Sequence, residues 1–457
     1  MKDKLITALQ EEEIPLVLDS EELRVLGQDR TRTAAGMPLA LAEPRSVEEV
    51  QKIIVQCRRH KVSVVPQGGR TGYAGAACSA GHDLLLSMRR MNQILHLDPY
   101  LPALTVQAGC ITQTVQQFAL DNGYYFPVDF ASSGSSQIGG NAATNAGGIR
   151  FIRYGGMRKH ILGLKAVLGN GELLETNGQV LKDNTGYSLK DLLIGSEGTL
   201  GIICELTLSL TSPPPDSLVL LCGMESVERI LELLALARKS GIDLHAFEFF
   251  DHRCLAAVRE YNDLEHPFSE THDWYCLLEF TATEAERFLE LPELFSITTE
   301  ALPAQNESSK KRFWSFRENI SESLSHGPVH KNDISIPLSR IPNYIAELKM
   351  MLEAPAFHAW QLFLFGHIGD GNVHINLKPG TNSNETAFHQ ICHEFDRLNT
   401  QLISKYNGSI SAEHGIGTLK KESFQQSSPE STVQIMRKIK LALDPDGILN
   451  PGKIFDS

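Results

Sequence analysis

The sequence of 457 residues contains no CxxC pair, no long apolar run and no basic surplus. Each absence removes a class of function. The eight cysteines (Cys57, Cys78, Cys110, Cys204, Cys222, Cys254, Cys276 and Cys392) lie far apart. That spacing argues against a thiolate metal site or an iron–sulfur cluster and predicts reduced core residues of a cytosolic protein. No apolar stretch approaches the roughly 20 residues of a membrane span, so no transmembrane segment is expected. The acidic N-terminus MKDKLITALQEEEIPLVL has no continuous apolar core, which argues against a signal peptide. A cytoplasmic location is expected, with peripheral attachment to an inner membrane left open. The formal net charge is −13, which argues against a sequence-independent nucleic-acid surface. An HExxH motif is also missing, so a zincin protease is disfavoured.

The composition is that of a globular enzyme, 42% apolar and 21% charged. Its length exceeds one ordinary core and predicts two or three domains. Glycine is concentrated in three places. PQGGRTGYAGA (66–76) follows the short strand VSVV (62–65), and Ser46 with Glu49 caps the helix before it. SSGSSQIGGNAATNAGGIRFIRYGG (132–156) interleaves glycine with Ser, Asn and Thr. IGSEGTLGII (194–203) is the third cluster. Glycines after a strand let bare backbone N–H groups approach an anion, most often a phosphate. Three such loops in one region suggest a long ligand with a pyrophosphate and a ring. Strands are expected at 84–87, 104–109 and 161–168, with a helix from Ile111 to about Asn122.

SPPPDS (212–217) marks a boundary. Beyond it, SLVLLC (217–222), LHAFEFF (244–250), WYCLLEFT (274–281) and DISIP (333–337) read as strands between helices. This predicts a sheet with helices on one face. FLFGHIGDGNVHINL (363–377) reads as a hairpin turning at Asp370-Gly371. In that register His367 faces His374 at roughly 5 Å between Cβ atoms. Asn376 joins the same face. Two opposed histidines form half of a metal site, or an ordinary polar pair on a wet face. On the helix FWSFRENISESLSH (313–326), Arg317 and Ser321 are four residues apart and share a face. Lys331 opens the following strand. An arginine fork with a lysine suits a carboxylate ligand, whereas a solvated helix face with incidental ion pairs is the alternative.

Five segments together resemble the FAD-linked dehydrogenases of D-2-hydroxy acids: PQGGRTGYAGA, SSQIGGNAATNAGGIRFIRYG, KDNTGYSLKDLLIGSEGTLGI, GHIGDGNVHIN and SAEHGIG. This family includes D-2-hydroxyglutarate dehydrogenase, D-lactate dehydrogenase and the flavin subunit of glycolate oxidase, within the vanillyl-alcohol-oxidase type of flavoprotein. The resemblance spans residues 66 to 452. It implies an α+β fold: a PCMH-type FAD-binding domain of two small sheets, and a second α+β, ferredoxin-like substrate domain with an antiparallel sheet. The expected divisions are an N-terminal extension (1–35), the flavin domain (36–213), the substrate domain (214–440) and a tail returning to the flavin domain (441–457).

By the family pattern the first loop takes the pyrophosphate, through Pro66, Gly68, Gly69, Arg70, Thr71, Gly72 and Gly75. The second contributes Ser135, Ser136, Gly139, Gly140, Asn141, Thr144, Asn145, Gly147, Gly148 and Ile149. The third contributes Glu197, Gly198, Gly201 and Ile202, and Asn450 of the tail lies near the flavin ring. Relatives with covalent flavin use a histidine in or near the first loop. Arg70 and no histidine stand there, which implies non-covalent FAD. Glu413 would complete a metal site with His367 and His374, for zinc or else manganese.

His414 is the expected general base, its ordinary pKa lying near 6.5. Arg317, Lys331, Ser321 and Asn376 would hold the substrate, a 2-hydroxy acid. D-2-hydroxyglutarate is favoured, with D-lactate and glycolate as alternatives. Electrons would leave to a separate acceptor such as a quinone, an electron-transfer flavoprotein or a cytochrome. A homodimer is left open. A flavin-free metal hydrolase, a non-redox flavin transferase of the alkyl-dihydroxyacetone-phosphate synthase type and a scaffold subunit of a glycolate oxidase assembly are the competing readings.

Overall fold

The triple proline at 213–215 is where the chain changes domain. In the computed structural model, which describes residues 2–34, 36–380 and 385–456, two units separate there. The first comprises Met1–Gly148, Tyr154–Pro213 and Glu413–Ser457; the second comprises Ile149–Arg153 and Pro214–Ala412. Two expected boundaries are corrected. The N-terminal extension is not separate: Leu5 and Leu9 are fully buried in the first unit's core. Its expected end at residue 35 falls outside the described residues. The C-terminal return begins at Glu413 rather than at 441, because the loop after it bonds to the first unit: the Thr418 N–H donates to the Ala74 carbonyl at 2.9 Å.

The first unit holds two small sheets. One has the spatial order Leu16–Val17, Ala40–Ala42, Leu84–Ser87, Val64–Gln67, with its last three strands parallel. The other is antiparallel, in the order Ile94–Asp98, Ala103–Gln107, Ile202–Ser209, Ile161–Val167, Leu173–Glu175. Helix Val47–His60 begins where expected, the Ser46 hydroxyl accepting the Glu49 N–H at 3.3 Å. It buries Val50, Ile53, Ile54 and Cys57 in the core shared with both sheets.

The second unit is a seven-stranded antiparallel sheet. Its order is Glu300–Pro303, Ser217–Met224, Trp274–Thr281, Leu244–Asp251, Trp360–Gly366, Asn372–Pro379, His330–Ser335. The first four in space have sequence ranks 4-1-3-2 within Ser217–Pro303, which is the ferredoxin-like order. Helices on one face only were expected. Strand Leu244–Asp251 is instead buried along all eight residues, so both faces are covered. On one face Phe250, Tyr275, Leu277, Phe363 and Phe365 pack with Phe313 and Phe316 of helix Glu307–Glu318. Helix Val227–Ser240, capped by Ser226 and ended by left-handed Gly241, adds no residue to that cluster. Segment Ile149–Arg153 belongs to this unit through Arg153, ion-paired to Asp243 at 2.6 Å, and Arg150, 3.5 Å from Glu279.

Candidate active site

The glycine loops fold together in the first unit because they lack side chains. A Cβ on Gly69 would strike the Ser135 carbonyl, and one on Gly198 would strike the Pro66 ring. The loops line a cleft with Pro66, Gly68, Gly69, Arg70, Thr71, Gly72, Gly139, Gly140, Asn141, Thr144, Glu197, Gly198, Gly201 and Ile202 in its wall. His414 lines it too, its ring 5.2 Å from that of Tyr73. Gln67 and Gln137, inside the first and second loops, line it as well, and Ala76 and Ile203, each next after the last expected flavin residue of its loop, were not anticipated.

The other expected flavin residues are placed elsewhere. The Ser136 hydroxyl bonds Thr112 at 2.8 Å. Asn145 accepts the Arg158 N–H at 3.0 Å. Gly75 packs on Thr418 and Thr33, and Gly148 on the Asp129 backbone. Ser135 presents its backbone to Gly69, Gly147 is buried away from the cleft wall, and Ile149 belongs to the second unit. Asn450 acts as a brace. Its amide donates to the Ala76 carbonyl at 3.0 Å and to the Glu197 carbonyl at 2.8 Å.

Glu197 holds the loop that carries His414. Its two carboxylate oxygens accept the N–H groups of Ile416 and Gly417, each at 2.7 Å. Burial pushes its pKa up, and the two N–H groups pull it back only in part. The loop needs Gly417 as well, since a Cβ there would strike the Ala74 carbonyl.

The second unit gathers the remaining expected residues around two buried carboxylates. The Asp370-Gly371 hairpin is corrected in register. The strands end at Gly366 and begin again at Asn372, with a 3-10 turn over Ile368–Asp370 and left-handed Gly371 between them. His374 therefore faces Phe365 across the ladder, not His367. The longer turn still folds His367 back, and the two imidazole centroids lie 5.3 Å apart with planes at 81°. Nδ1 of His367 is 2.8 Å from Glu248 Oε1, and Nδ1 of His374 is 3.4 Å from Asp333 Oδ1. Glu248 and Asp333 are wholly buried.

The second oxygen of Glu248 pairs with Arg317 Nε at 2.8 Å. Burial raises the Glu248 pKa, but His367 and Arg317 outweigh it and hold the group below the ordinary carboxylate value. Burial pushes His374 down to about 4, so its imidazole is neutral. Asn376 lies on the same face as His374, opposite Lys331 in register. Asn376 Nδ2 and Arg317 Nη2 are buried and have no hydrogen-bond partner among the described residues. Buried donors left in that state await an acceptor.

Ser321 is a correction. The helix ends at Glu318 and a separate turn runs Ile320–Ser323. Arg317 is buried while Ser321 is exposed, so the two do not share one face. The break comes at Asn319, whose N–H bonds back to Ser315 while its backbone leaves helical geometry. The metal expectation meets a mixed result. Among the described residues no three His, Cys, Asp or Glu side chains form a group that could hold a metal ion. Glu413 belongs to the first unit and the two histidines to the second. Each of the two histidines has Nδ1 beside a buried carboxylate.

Two family models match the chain: the FAD-binding domain over residues 38–177 and the C-terminal domain of FAD-linked oxidases over 213–454. The chain belongs to the FAD-linked oxidases. This FAD-linked oxidase is 40% identical to D-2-hydroxyglutarate dehydrogenase of Stutzerimonas stutzeri, over 96% of each chain. It is 41% identical to the Xanthomonas citri enzyme of the same name, over 100% of this chain and 98% of the other. Among solved structures, p-cresol methylhydroxylase with substrate bound matches with a TM-score of 0.76 at 16% identity, covering 99% and 97% of the two chains. That last likeness shows the fold.

Glu248 and Asp333 were missed from the sequence of this oxidase. A signal existed: Glu248 sits inside LHAFEFF, an otherwise apolar buried strand, where a carboxylate needs a partner.

Proposed function

We propose that the chain oxidises a D-2-hydroxy acid, D-2-hydroxyglutarate first, to the 2-oxo acid, with non-covalent FAD and a divalent metal, zinc or manganese. The observation that carries the proposal is the pair of buried, unpartnered donors, Arg317 Nη2 and Asn376 Nδ2, on the face that holds His367 and His374. They fit substrate carboxylate and hydroxyl oxygens. The near-full-length likeness to dehydrogenases of that name supports the same substrate.

The residues divide the work. Pro66, Gly68, Gly69 and the other cleft glycines offer backbone to a flavin nucleotide. His367 and His374 are the proposed metal ligands of the second unit. When bound, FAD supplies a hydride acceptor at N5 and the metal a Lewis acid that lowers the pKa of the alcohol. Arg317 and Lys331 hold carboxylate charge, and Asn376 donates to a substrate oxygen. His414 takes the hydroxyl proton as C2–H leaves. Two cations favour a dicarboxylate; a single carboxylate using both would leave D-lactate or glycolate. All eight cysteines are buried and unpaired by disulfides, so onward electrons pass to a separate acceptor. A cytoplasmic location fits this reading. Among the described residues no helix is long and apolar enough to cross a membrane.

Stopped-flow reduction of the flavin by a panel of D-2-hydroxy acids tests the proposal. D-2-hydroxyglutarate should reduce it fastest. A colourless protein, or a flavin that no 2-hydroxy acid bleaches, would refute it.

A further inference from the structure

Several polar side chains in the wall of the glycine-loop cleft are already engaged with protein. Gln67 Nε2 donates to the Leu26 and Ala77 carbonyls, each at 2.8 Å. Asn141 Nδ2 donates to the Thr112 hydroxyl at 2.7 Å, and the Thr144 hydroxyl donates to the Gly140 carbonyl at 3.1 Å. Gln137 differs. It lines the same cleft and is only 8% exposed. Among the described residues it is the one cleft-lining side chain with a buried polar atom, Oε1, that lacks a hydrogen-bond partner. We propose that Gln137 is an FAD-binding residue whose Oε1 accepts a hydrogen bond from a hydroxyl of the cofactor, on its ribityl chain or its ribose. The inference rests on the flavoprotein reading above.

The backbone around Gln137 is fixed on both sides. The Thr112 N–H donates to the Ser136 carbonyl at 3.0 Å, the Ile138 N–H to the Cys110 carbonyl at 2.9 Å, and the Asn141 N–H to the Gln137 carbonyl at 2.9 Å. Helix Ile138–Ala143 starts here, yet the Gln137 side chain does not cap it. No bond within the protein therefore accounts for the amide. A buried amide oxygen without a donor destabilises the folded chain, and a ligand that brings the donor removes that cost. Position selects the donor. A Cβ on Gly68 would lie 3.5 Å from that of Gln137, so the residue stands against the loop expected to take the pyrophosphate. Phosphate oxygens only accept hydrogen bonds and would repel Oε1. The groups bonded to either side of the pyrophosphate are polyols, the ribityl chain toward the ring and the ribose toward the adenine. Their hydroxyls can donate to Oε1.

The test uses the full-length flavoprotein as wild type, Q137M and Q137A. The methionine keeps the length of the side chain and removes its amide; the alanine adds no bulk. Two quantities are read: the dissociation constant of FAD from the apoprotein, by flavin fluorescence, and the urea midpoint of the apoprotein. Q137M should bind FAD about three- to tenfold more weakly, the range of one hydrogen bond. Its apoprotein should be as stable as wild type or more so, because an apolar group of similar shape replaces an unpaired buried one. If the apoprotein does not survive removal of the flavin, the rate of flavin release from the holoprotein is read instead and should rise by the same factor. FMN and ADP separate the two hydroxyl sources. Weaker FMN binding alone assigns the ribityl chain; weaker ADP binding alone assigns the ribose. Unchanged FAD affinity, a destabilised apoprotein that binds FAD normally, or FMN and ADP affected alike overturns the inference alone. A wild-type protein that binds no FAD overturns it together with the reading beneath it.

Discussion

Glu197→Ala is the perturbation that most directly separates holding the base loop from holding the flavin. The substitution leaves the N–H groups of Ile416 and Gly417 without the oxygens that accept them at 2.7 Å. A hydrogen bond to a charged group contributes about 1.5–3 kcal/mol, so two would contribute about 3–6 kcal/mol if nothing opposed them. Desolvation of the carboxylate does oppose them, as its raised pKa records. The net loss should therefore fall below that range, at about 2 kcal/mol, which is about 30-fold in an opening equilibrium. The loss should be local, because Glu197 touches the loop from Gly415 to Gly417 rather than the hydrophobic core. Hydrogen–deuterium exchange at the Ile416 and Gly417 amides should accelerate by that factor. Turnover should fall as His414 loses its fixed position, while bound flavin persists. Glu197→Gln should lie between, keeping one acceptor. Unchanged exchange at both amides, or loss of flavin with no change in loop exchange, would refute the reasoning.

Other outcomes follow from the second unit and its edge. Arg317→Met should destabilise the protein by about 3–5 kcal/mol, because it strips a buried carboxylate of its cation; chemical denaturation measures it, and adding E248Q should recover much of the loss. Asn376→Ala should leave the melting temperature nearly unchanged, since Nδ2 has no partner to lose, yet raise KM for D-2-hydroxyglutarate about tenfold, the value of about one hydrogen bond. The pH dependence of stability should have two limbs. Burial pulls His330 down, but Asp396 and Cys392 overcome it and raise the group to about 10. Its contribution is full below the unfolded value near 6.5 and is lost as pH rises toward 10. His245 is pushed down to about 4 by burial and by Arg153, so stability falls as pH drops from 6.5 toward 4. Urea midpoints across this range should peak near 6.5, and His330→Gln should flatten the alkaline limb alone.

Local signals survived the move from sequence to structure where local chemistry decides the outcome. Ser46 caps the helix it was expected to cap, and Ser226 does the same for Val227–Ser240, because a side-chain oxygen beside free N–H groups acts within one turn. The glycine loops converge because only glycine permits the contacts at Gly69 and Gly198. Errors arose where tertiary context chose among local options. Asp370-Gly371 could form a two-residue turn, but Gly371 instead closes a 3-10 turn whose Asp370 and Asn372 N–H groups both reach the His367 carbonyl. The histidines meet anyway, by a different route. The helix over 313–326 has no proline to stop it, and its break at Asn319 separates Arg317 from Ser321. Glu248 and Asp333 lie on strands far from the histidines in sequence, and their pairing depends on strand order, which periodicity does not encode. The same holds for the short segment Ile149–Arg153, assigned to the second unit by its arginines.

The central claim is a hydride taken from a D-2-hydroxy acid by a flavin with metal assistance. Anaerobic titration of the purified, metal-loaded protein with D-2-hydroxyglutarate, followed at the flavin band before and after chelation, tests it most directly. The account predicts stoichiometric bleaching that chelation abolishes while the flavin stays bound, and that zinc or manganese restores. A flavin bleached equally fast after the metal is stripped, or never bleached by this substrate, would contradict it.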